Sequence, residues 1–111
     1  MKIYIAGKIT GLDNYRELFQ KAESIFKNEG HAVMNPSILP DGFEHREYMH
    51  ICYSMINVCD GVHFLDNWKD SKGAIMEYEY AVEQGKFISF ENKNEHNIFD
   101  LYKPVNEVKN D

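Results

Sequence analysis

The residues best suited to chemistry lie between Cys59 and Glu77, a stretch that carries four acidic side chains. Ser71 can cap a helix, which would leave the backbone N–H groups of residues 72–74 free at its positive end. A phosphate or a carboxylate would bind there. Glu77 lies four residues beyond Gly73, so it shares that helix face about 6 Å further along the axis. This spacing favours an anion site with a carboxylate beneath it.

The chemistry that fits this spacing is attack on a sugar. Because Gly73 has no side chain, it leaves a gap above Glu77 that is about the size of a pentose. A sugar in that gap would place its 5′ substituent at the helix end and its anomeric carbon near the carboxylate, which is a good nucleophile toward an oxocarbenium-like centre. The alternative is that Glu77 is a solvated carboxylate on an amphipathic helix. Ser71 alone could likewise be a plain cap, and Asp60 a plain residue between a loop and a strand.

Four short apolar segments predict the strands that must position these residues, namely residues 2–6, 31–35, 61–65 and 87–90. Helical spacing of apolar residues fills the intervals, with helices that begin near residues 13–14, 45 and 71 and end near residues 30, 58 and 84. Strictly alternating strands and helices predict an α/β fold, a small flavodoxin/Rossmann-like three-layer sandwich. Its parallel sheet would have four strands in the order 2-1-3-4, with a fifth as an option.

In that strand order the topology reverses between the first and third strands. Ligands of such sheets bind beyond the carboxyl ends of the strands at this point. The loops 7–12 and 66–73 should therefore line one crevice. The stretch 36–44, rich in proline and glycine, is predicted to be a long surface loop. Trp68 stands in a polar loop beside the crevice, where it could stack on a base or cover the edge of the sheet.

The length of 111 residues predicts a single domain over residues 1–111, in which residues 91–111 are polar and end in a frayed terminus. A hydrophobic fraction of 43% is too high for a disordered tail. No apolar run approaches the about 20 residues of a membrane span. Cys52 and Cys59 sit in apolar settings typical of buried, reduced thiols. We therefore expect a cytoplasmic protein without a membrane partner.

The charge balance restricts the partners. The chain has 12 basic and 18 acidic side chains and a net charge of −6, which argues against a surface that grips duplex nucleic acid through many phosphates. A small anion held by backbone amides remains compatible with it. His45 and His50 are five residues apart, whereas a helical zinc motif needs a spacing of four, so no metal site is expected. No cofactor is implied either.

Taken together, these residues resemble the nucleoside 2-deoxyribosyltransferase superfamily over roughly residues 2–90. The motifs that carry the resemblance are residues 4–11, Asp60, Ser71-x-Gly73-x-x-x-Glu77 and Ala81-x-x-Gln84-Gly85-Lys86. The chain looks most similar to a branch of small proteins found in phages and bacteria, which shares Asn35-Pro36, Tyr48-Met49, Cys59-Asp60 and the run Trp68-x-x-Ser71-Lys72-Gly73-Ala74. The resemblance implies cleavage or transfer at an N-glycosidic bond, and a homodimer or a larger homo-oligomer.

The resemblance also implies roles for individual residues. Glu77 matches the nucleophile that attacks the anomeric carbon. Asp60 matches the carboxylate that assists the leaving base, and Tyr4 matches the tyrosine that orients the nucleophile. The loop that approaches the 5′ end of the nucleotide would contain Gly7, Lys8 and Thr10.

The residue at position 71 bears on the substrate. Relatives that use free nucleosides usually carry an aspartate there, whereas relatives that hydrolyse deoxynucleoside 5′-monophosphates carry a serine. Ser71 therefore predicts a nucleotide as the small-molecule partner, since an aspartate at a helix start would oppose an anion. Those hydrolases have serine and arginine where this chain has Lys8 and Thr10, so Lys8 would supply the charge. The alternatives are a protein that binds a nucleotide without turnover, and a structural or interaction module.

Overall fold

A four-stranded parallel sheet organises the chain, of which the structure, a computed structural model, describes residues 1–91. The strands are β1 (Lys2–Ala6), β2 (Ala32–Met34), β3 (Gly61–Phe64) and β4 (Phe87–Phe90), in the order β2-β1-β3-β4. The helices between them are α1 (Tyr15–Asn28), α2 (His45–Asn57) and α3 (Lys72–Glu83). The α/β fold and the strand order are confirmed. Residues 1–91 contain no fifth strand, and the prediction for the polar end falls mostly on residues 92–111, outside the described part.

The two central strands, β1 and β3, are buried on both faces, which explains why they are nearly continuous apolar runs, whereas the edge strand β2 is partly exposed. Alternate side chains of β1 point to opposite faces. Tyr4 belongs to the cluster formed with α2 and α3, whereas Ile5 packs against Phe19 and Ala22 of α1. The helix α1 therefore covers one face, and α2 and α3 cover part of the other. This arrangement brings α2 and α3 side by side above Tyr4.

The helix ends follow local sequence signals. Gly30 and Gly85 have φ angles of +91° and +72°, a conformation that favours glycine, and each follows directly after a helix end. Ser71 caps α3 with its side chain. Asn14 precedes α1 but makes no side-chain cap hydrogen bond.

The loop after β1 runs very close to the end of β3. A Cβ atom added to Gly7 would lie 2.8 Å from Cδ1 of Leu65, a distance that real Cβ atoms do not tolerate. Just beyond it, the Lys8 amide donates a hydrogen bond of 2.9 Å to Oδ1 of Asn67. Glycine at position 7 thus lets two loops from adjacent strands meet at the carboxyl edge of the sheet.

Cys52 and Cys59 are buried free thiols, as expected. Within residues 1–91, no helix is long and apolar enough to cross a membrane.

Candidate active site

A cavity of about 740 Å³ opens at the carboxyl ends of β1 and β3. Its walls come from the loop after β1, the amino end of α3, the helix α2 and the loop that precedes α2. The two loops predicted to share one crevice therefore do so. The predicted site residues that line this cavity are Tyr4, Gly7, Lys8, Thr10, Ser71, Gly73 and Glu77.

The amino end of α3 presents backbone N–H groups to the cavity. Ser71 has an extended backbone conformation, and its Oγ accepts a hydrogen bond of 3.1 Å from the amide of Ala74. The sequence predicts three available amides, but this cap uses one of them. The amides of Lys72 and Gly73 have no acceptor within the part of the chain that the structure describes. These two amides, at the positive end of the helix, suit one anionic group.

Glu77 lies on the floor of the cavity rather than in solvent. Its side chain is buried, with 6% of the residue exposed. The hydroxyl of Tyr4, which is fully buried, donates a hydrogen bond of 2.5 Å to Oε2 of Glu77. The neighbouring Glu79 on the same helix is exposed. The interpretation of Glu77 as a solvated carboxylate is therefore wrong.

The environment of Glu77 moves the pKa of its carboxyl toward neutral pH. Burial raises the pKa of Glu77 from 4.5 to about 7, and hydrogen bonds from Tyr4 and Cys52 oppose this rise. Burial likewise raises the pKa of the Cys52 thiol to about 12, and it raises the pKa of Tyr4 well above its usual value of 10.0. The carboxylate is thus held by two neutral donors, and it is the group of this cluster that can ionise near pH 7.

Asp60 lies at the opposite edge of the sheet. The register pairs Ile3 with Gly61, and the Asp60 carboxylate accepts a hydrogen bond of 2.8 Å from the amide of Lys2. That hydrogen bond lowers the pKa of the exposed Asp60 carboxyl. The length of β3, at about 3.3 Å per residue, separates Asp60 from the cavity. Because Asp60 precedes β3 instead of following it, the structure does not bring it to Glu77, which corrects its predicted role beside the leaving base.

Trp68 covers the sheet and does not line the cavity. It lies in a short 3-10 turn over residues 68–70. Its ring packs against Phe64, Tyr78 and Phe90, with centroid distances of 5.1, 5.1 and 5.5 Å. Of the two alternatives for Trp68, the structure therefore supports the cover over the sheet, and its predicted place among the binding residues is corrected. The orientation of the Trp68 ring is therefore set by aromatic residues that the fold brings together.

One wall of the cavity, formed by α1, the loop after β2 and α2, is not among the sequence predictions. The loop is anchored by Tyr48, whose hydroxyl donates to the Pro40 carbonyl at 2.5 Å and accepts from the Phe43 amide at 3.2 Å. Two features of the sequence predict this wall. The strand β2 also ends at the carboxyl edge of the sheet, and the apolar residues of α2 are spaced three and four apart, so they share one helix face. The lining residues missed include Tyr15, Phe19, Pro36, Leu39, His45, Tyr48, Met49 and Cys52.

No group of His, Cys, Asp or Glu side chains within residues 1–91 could hold a metal ion with three ligands. The arrangement offers a different chemistry. It has an anion site at a helix end, a cavity large enough for a nucleoside and a buried carboxylate on the floor. These are the parts needed to bind a sugar phosphate and attack its anomeric carbon.

The fold is similar to those of two solved 2-deoxyribosyltransferases and one solved N-glycosidase. The chain is similar to a 2-desoxiribosyltransferase from Leishmania mexicana, with 20% identity and a TM-score of 0.64 over 80% of this chain and 62% of that one. It is similar to the CMP N-glycosidase BcmB from Clostridium botulinum, with 17% identity and a TM-score of 0.62 over 81% and 70% of the two chains. It is also similar to a 2-deoxyribosyltransferase from Bacillus psychrosaccharolyticus, with 22% identity and a TM-score of 0.61 over 81% of this chain and 71% of that one.

Residues 1–90 match the family described as a domain of unknown function, DUF4406, and the chain belongs to that family. No curated protein matches the chain. The chain spans 62% of the length of the Leishmania enzyme. The likeness to the solved structures therefore establishes the fold, and the activity has to be argued from the site.

Proposed function

We propose that this protein is an enzyme that cleaves or transfers at the N-glycosidic bond of a nucleoside or deoxynucleoside 5′-monophosphate. Glu77 would be the nucleophile. The observation that carries this proposal is the buried Glu77 carboxylate, hydrogen-bonded by Tyr4 on the floor of a cavity of about 740 Å³. The similarity of the fold to deoxyribosyltransferases and to a CMP N-glycosidase supports the same reaction class.

In the first step, a carboxylate oxygen of Glu77 attacks the anomeric carbon and forms a glycosyl ester. The bond from that carbon to the base nitrogen breaks, and its electron pair leaves with the base, which takes a proton from solvent. In the second step, water or a second base attacks the same carbon and releases the carboxylate. The hydrogen bond from Tyr4 to Oε2 would orient the carboxylate for this attack.

The burial of Glu77 would assist the first step. The cost of burial falls on the charged carboxylate, as its raised pKa of about 7 indicates. That cost disappears when the charge is consumed in a neutral ester. Destabilisation that the ground state feels and the transition state partly loses lowers the barrier. Because half of the carboxyl groups are ionised near pH 7, the nucleophile remains available in neutral solution.

The anion site supports a 5′-phosphate in preference to a 5′-hydroxyl. The free amides of Lys72 and Gly73 lie beside the neutral Ser71, and Lys8 also lines the cavity. Two amides, a hydroxyl and an ammonium group complement a phosphate. With the phosphate there, the sugar would lie across Gly73 and bring its anomeric carbon toward Glu77.

The reaction is tested by incubating the protein with each common nucleoside and deoxynucleoside 5′-monophosphate and measuring the free base by chromatography. We expect release from at least one nucleotide. Glu77→Gln should abolish release while keeping nucleotide affinity, and Glu79→Gln, an exposed neighbour on the same helix, should behave like the unmodified protein. Undiminished turnover by Glu77→Gln would remove Glu77 from the mechanism. Tight nucleotide binding without release of any base would favour a binding protein without turnover.

The preference for a phosphate is tested with Ser71→Asp. A carboxylate at the helix start would repel the phosphate and could still accept a hydrogen bond from a 5′-hydroxyl. We expect the affinity for the monophosphate to fall by about 1–2 kcal/mol more than the affinity for the matching nucleoside, the size of one charge-assisted contact. Calorimetric titration measures both affinities. Equal losses for the two ligands would contradict a phosphate at this position.

A further inference from the structure

His45 lines the cavity and has no part in the reaction described so far. It is the first residue of α2, and its ring faces α3 at the position where α3 lacks a side chain. The ring atom Cε1 lies 3.5 Å from the place that a Cβ of Gly73 would occupy, and the sulfur of Met49 lies 3.4 Å from it. The missing side chain of Gly73 therefore leaves the histidine ring open to the anion site.

The two helices set the height of His45 within the cavity. Both α2 and α3 lead away from the carboxyl edge of the parallel sheet, so they run in the same direction. His45 and Met49 meet Gly73 near the amino end of α3, whereas Cys52 interacts with Glu77 one turn deeper. His45 is thus level with the free amides of α3 and lies above the reacting carboxylate.

The ring of His45 has capacity for a ligand. Within residues 1–91 it makes no hydrogen bond or ion pair. The acidic residues near His45 at the start of α2 already have partners. Glu47 accepts a hydrogen bond of 2.8 Å from the Glu44 amide, and Oε1 of Glu44 lies 3.6 Å from Nη2 of Arg46. The other charged residues that line the cavity are two cations, Lys8 and Lys72, and three acids, Asp41, Asp70 and Glu77.

We propose that His45 binds the 5′-phosphate of the substrate by donating a ring N–H to a phosphate oxygen, opposite the amides of Lys72 and Gly73. This inference rests on the proposed function and names a specificity residue for it. The phosphate would be held between the amino end of α3 on one side and the first residue of α2 on the other. His45 would therefore discriminate a nucleotide from a nucleoside without touching the reacting carbon.

The test uses two base-free probes, ribose 5-phosphate and 2-deoxyribose 5-phosphate, so that it does not depend on the identity of the base. Their dissociation constants are measured by calorimetry for the unmodified protein, His45→Asn and His50→Asn. His50 is the matched control, because it is an exposed histidine of α2 that does not line the cavity. We expect His45→Asn to weaken binding about tenfold, the equivalent of one charge-assisted hydrogen bond, and His50→Asn to leave it unchanged.

Further measurements separate binding from folding. Affinities for deoxynucleosides should not change in His45→Asn, and His45→Lys, which restores a donor, should recover most of the lost affinity for the sugar phosphate. The proton resonance on Cε1 of His45 should shift when the sugar phosphate is added, while that of His50 should not. Thermal unfolding of each variant checks that the fold is intact.

Several results would overturn the inference. These are an unmodified protein that binds neither sugar phosphate, equal affinities in His45→Asn and His50→Asn, and a parallel loss of nucleoside affinity in His45→Asn. The outcome is separable from that of the proposed function. Release of a base without any effect of His45→Asn refutes the phosphate contact alone. Binding that depends on His45 without release of any base leaves the contact in place and removes the glycosidic chemistry.

Discussion

Replacing Glu77 by glutamine should stabilise the protein above neutral pH, because the buried carboxylate is costly when ionised. Burial raises the pKa of Glu77 from 4.5 to about 7, so between these pH values the folded protein holds a proton that the unfolded chain has lost. The free energy of unfolding therefore falls as pH rises from about 4.5 to about 7, and it stays level above that range. At about 1.36 kcal/mol per pKa unit, the whole step corresponds to about 3 kcal/mol.

This contribution is large for a small domain, whose total stability is of the order of 5–15 kcal/mol. Glutamine keeps an oxygen that can accept the hydrogen bond from Tyr4 and carries no charge. We expect Glu77→Gln to be more stable than the unmodified protein at pH 8 by up to about 3 kcal/mol, or roughly 10 °C in Tm. At pH 4 the two proteins should differ little.

Urea titrations at half-unit steps from pH 4 to pH 8.5 measure the effect as a difference between proteins, which cancels the contribution of other carboxyl groups. Glu79→Gln serves as the control, since Glu79 is exposed on the same helix. Its difference from the unmodified protein should not follow the same pH course. If Glu77→Gln is no more stable than the unmodified protein at pH 8, the carboxylate is solvated in the folded state and the argument from burial fails.

Two other predictions follow from close contacts. Tyr4→Phe removes a hydrogen-bond donor that lowers the pKa of Glu77, so that pKa should rise above its value of about 7. The acidic limb of the pH–rate profile should then move up by about one pH unit. A limb that does not move would contradict this role of Tyr4. Gly7→Ala should destabilise the fold by about 1–3 kcal/mol through its clash with Leu65. Gly73→Ala meets its nearest neighbour at 3.4 Å and should fold normally but bind nucleotide more weakly, whereas unchanged affinity would show that the gap is not used.

The sequence was sufficient for the fold and for the line of residues from Ser71 to Glu77, because both depend on local patterns. The cap residue Ser71, the glycine Gly73 and the carboxylate of Glu77 belong to one helix, so helical geometry alone fixes their spacing. The alternation of strands and helices predicts a parallel sheet with right-handed crossovers, and the order 2-1-3-4 is one of the arrangements that this rule allows. Whether Glu77 faced solvent or the interior could not be decided in this way, because that depends on Tyr4, which lies 73 residues earlier in the chain.

The errors share a different cause, since they concern residues whose neighbours come from distant segments. Asp60 matched a motif by its order along the chain, yet its place before β3 puts it at the amino edge beside Lys2. Trp68 looked available in a polar loop, and only the packing of Phe90 beside Tyr78 reveals that its ring is already covered. The place of His45 in the wall from α2 is not predictable from local patterns, because the spacing of His45 and His50 bears only on metal binding and the contact of His45 with Gly73 joins segments 28 residues apart.

Within residues 1–91, the Glu77 carboxyl interacts with neutral donors and not with a cation. The interactions that act on this carboxyl are burial and hydrogen bonds from Tyr4 and Cys52, while Lys8 and Lys72 line the cavity near the amino end of α3. A lysine beside the carboxylate would stabilise the charged reactant more than the neutral ester, and would thereby raise the barrier to attack. Neutral donors orient the oxygens at a smaller cost. Positive charge at the helix end and neutral donors at the floor are therefore consistent with the proposed reaction, in which the helix end would bind the phosphate and Glu77 would face the anomeric carbon.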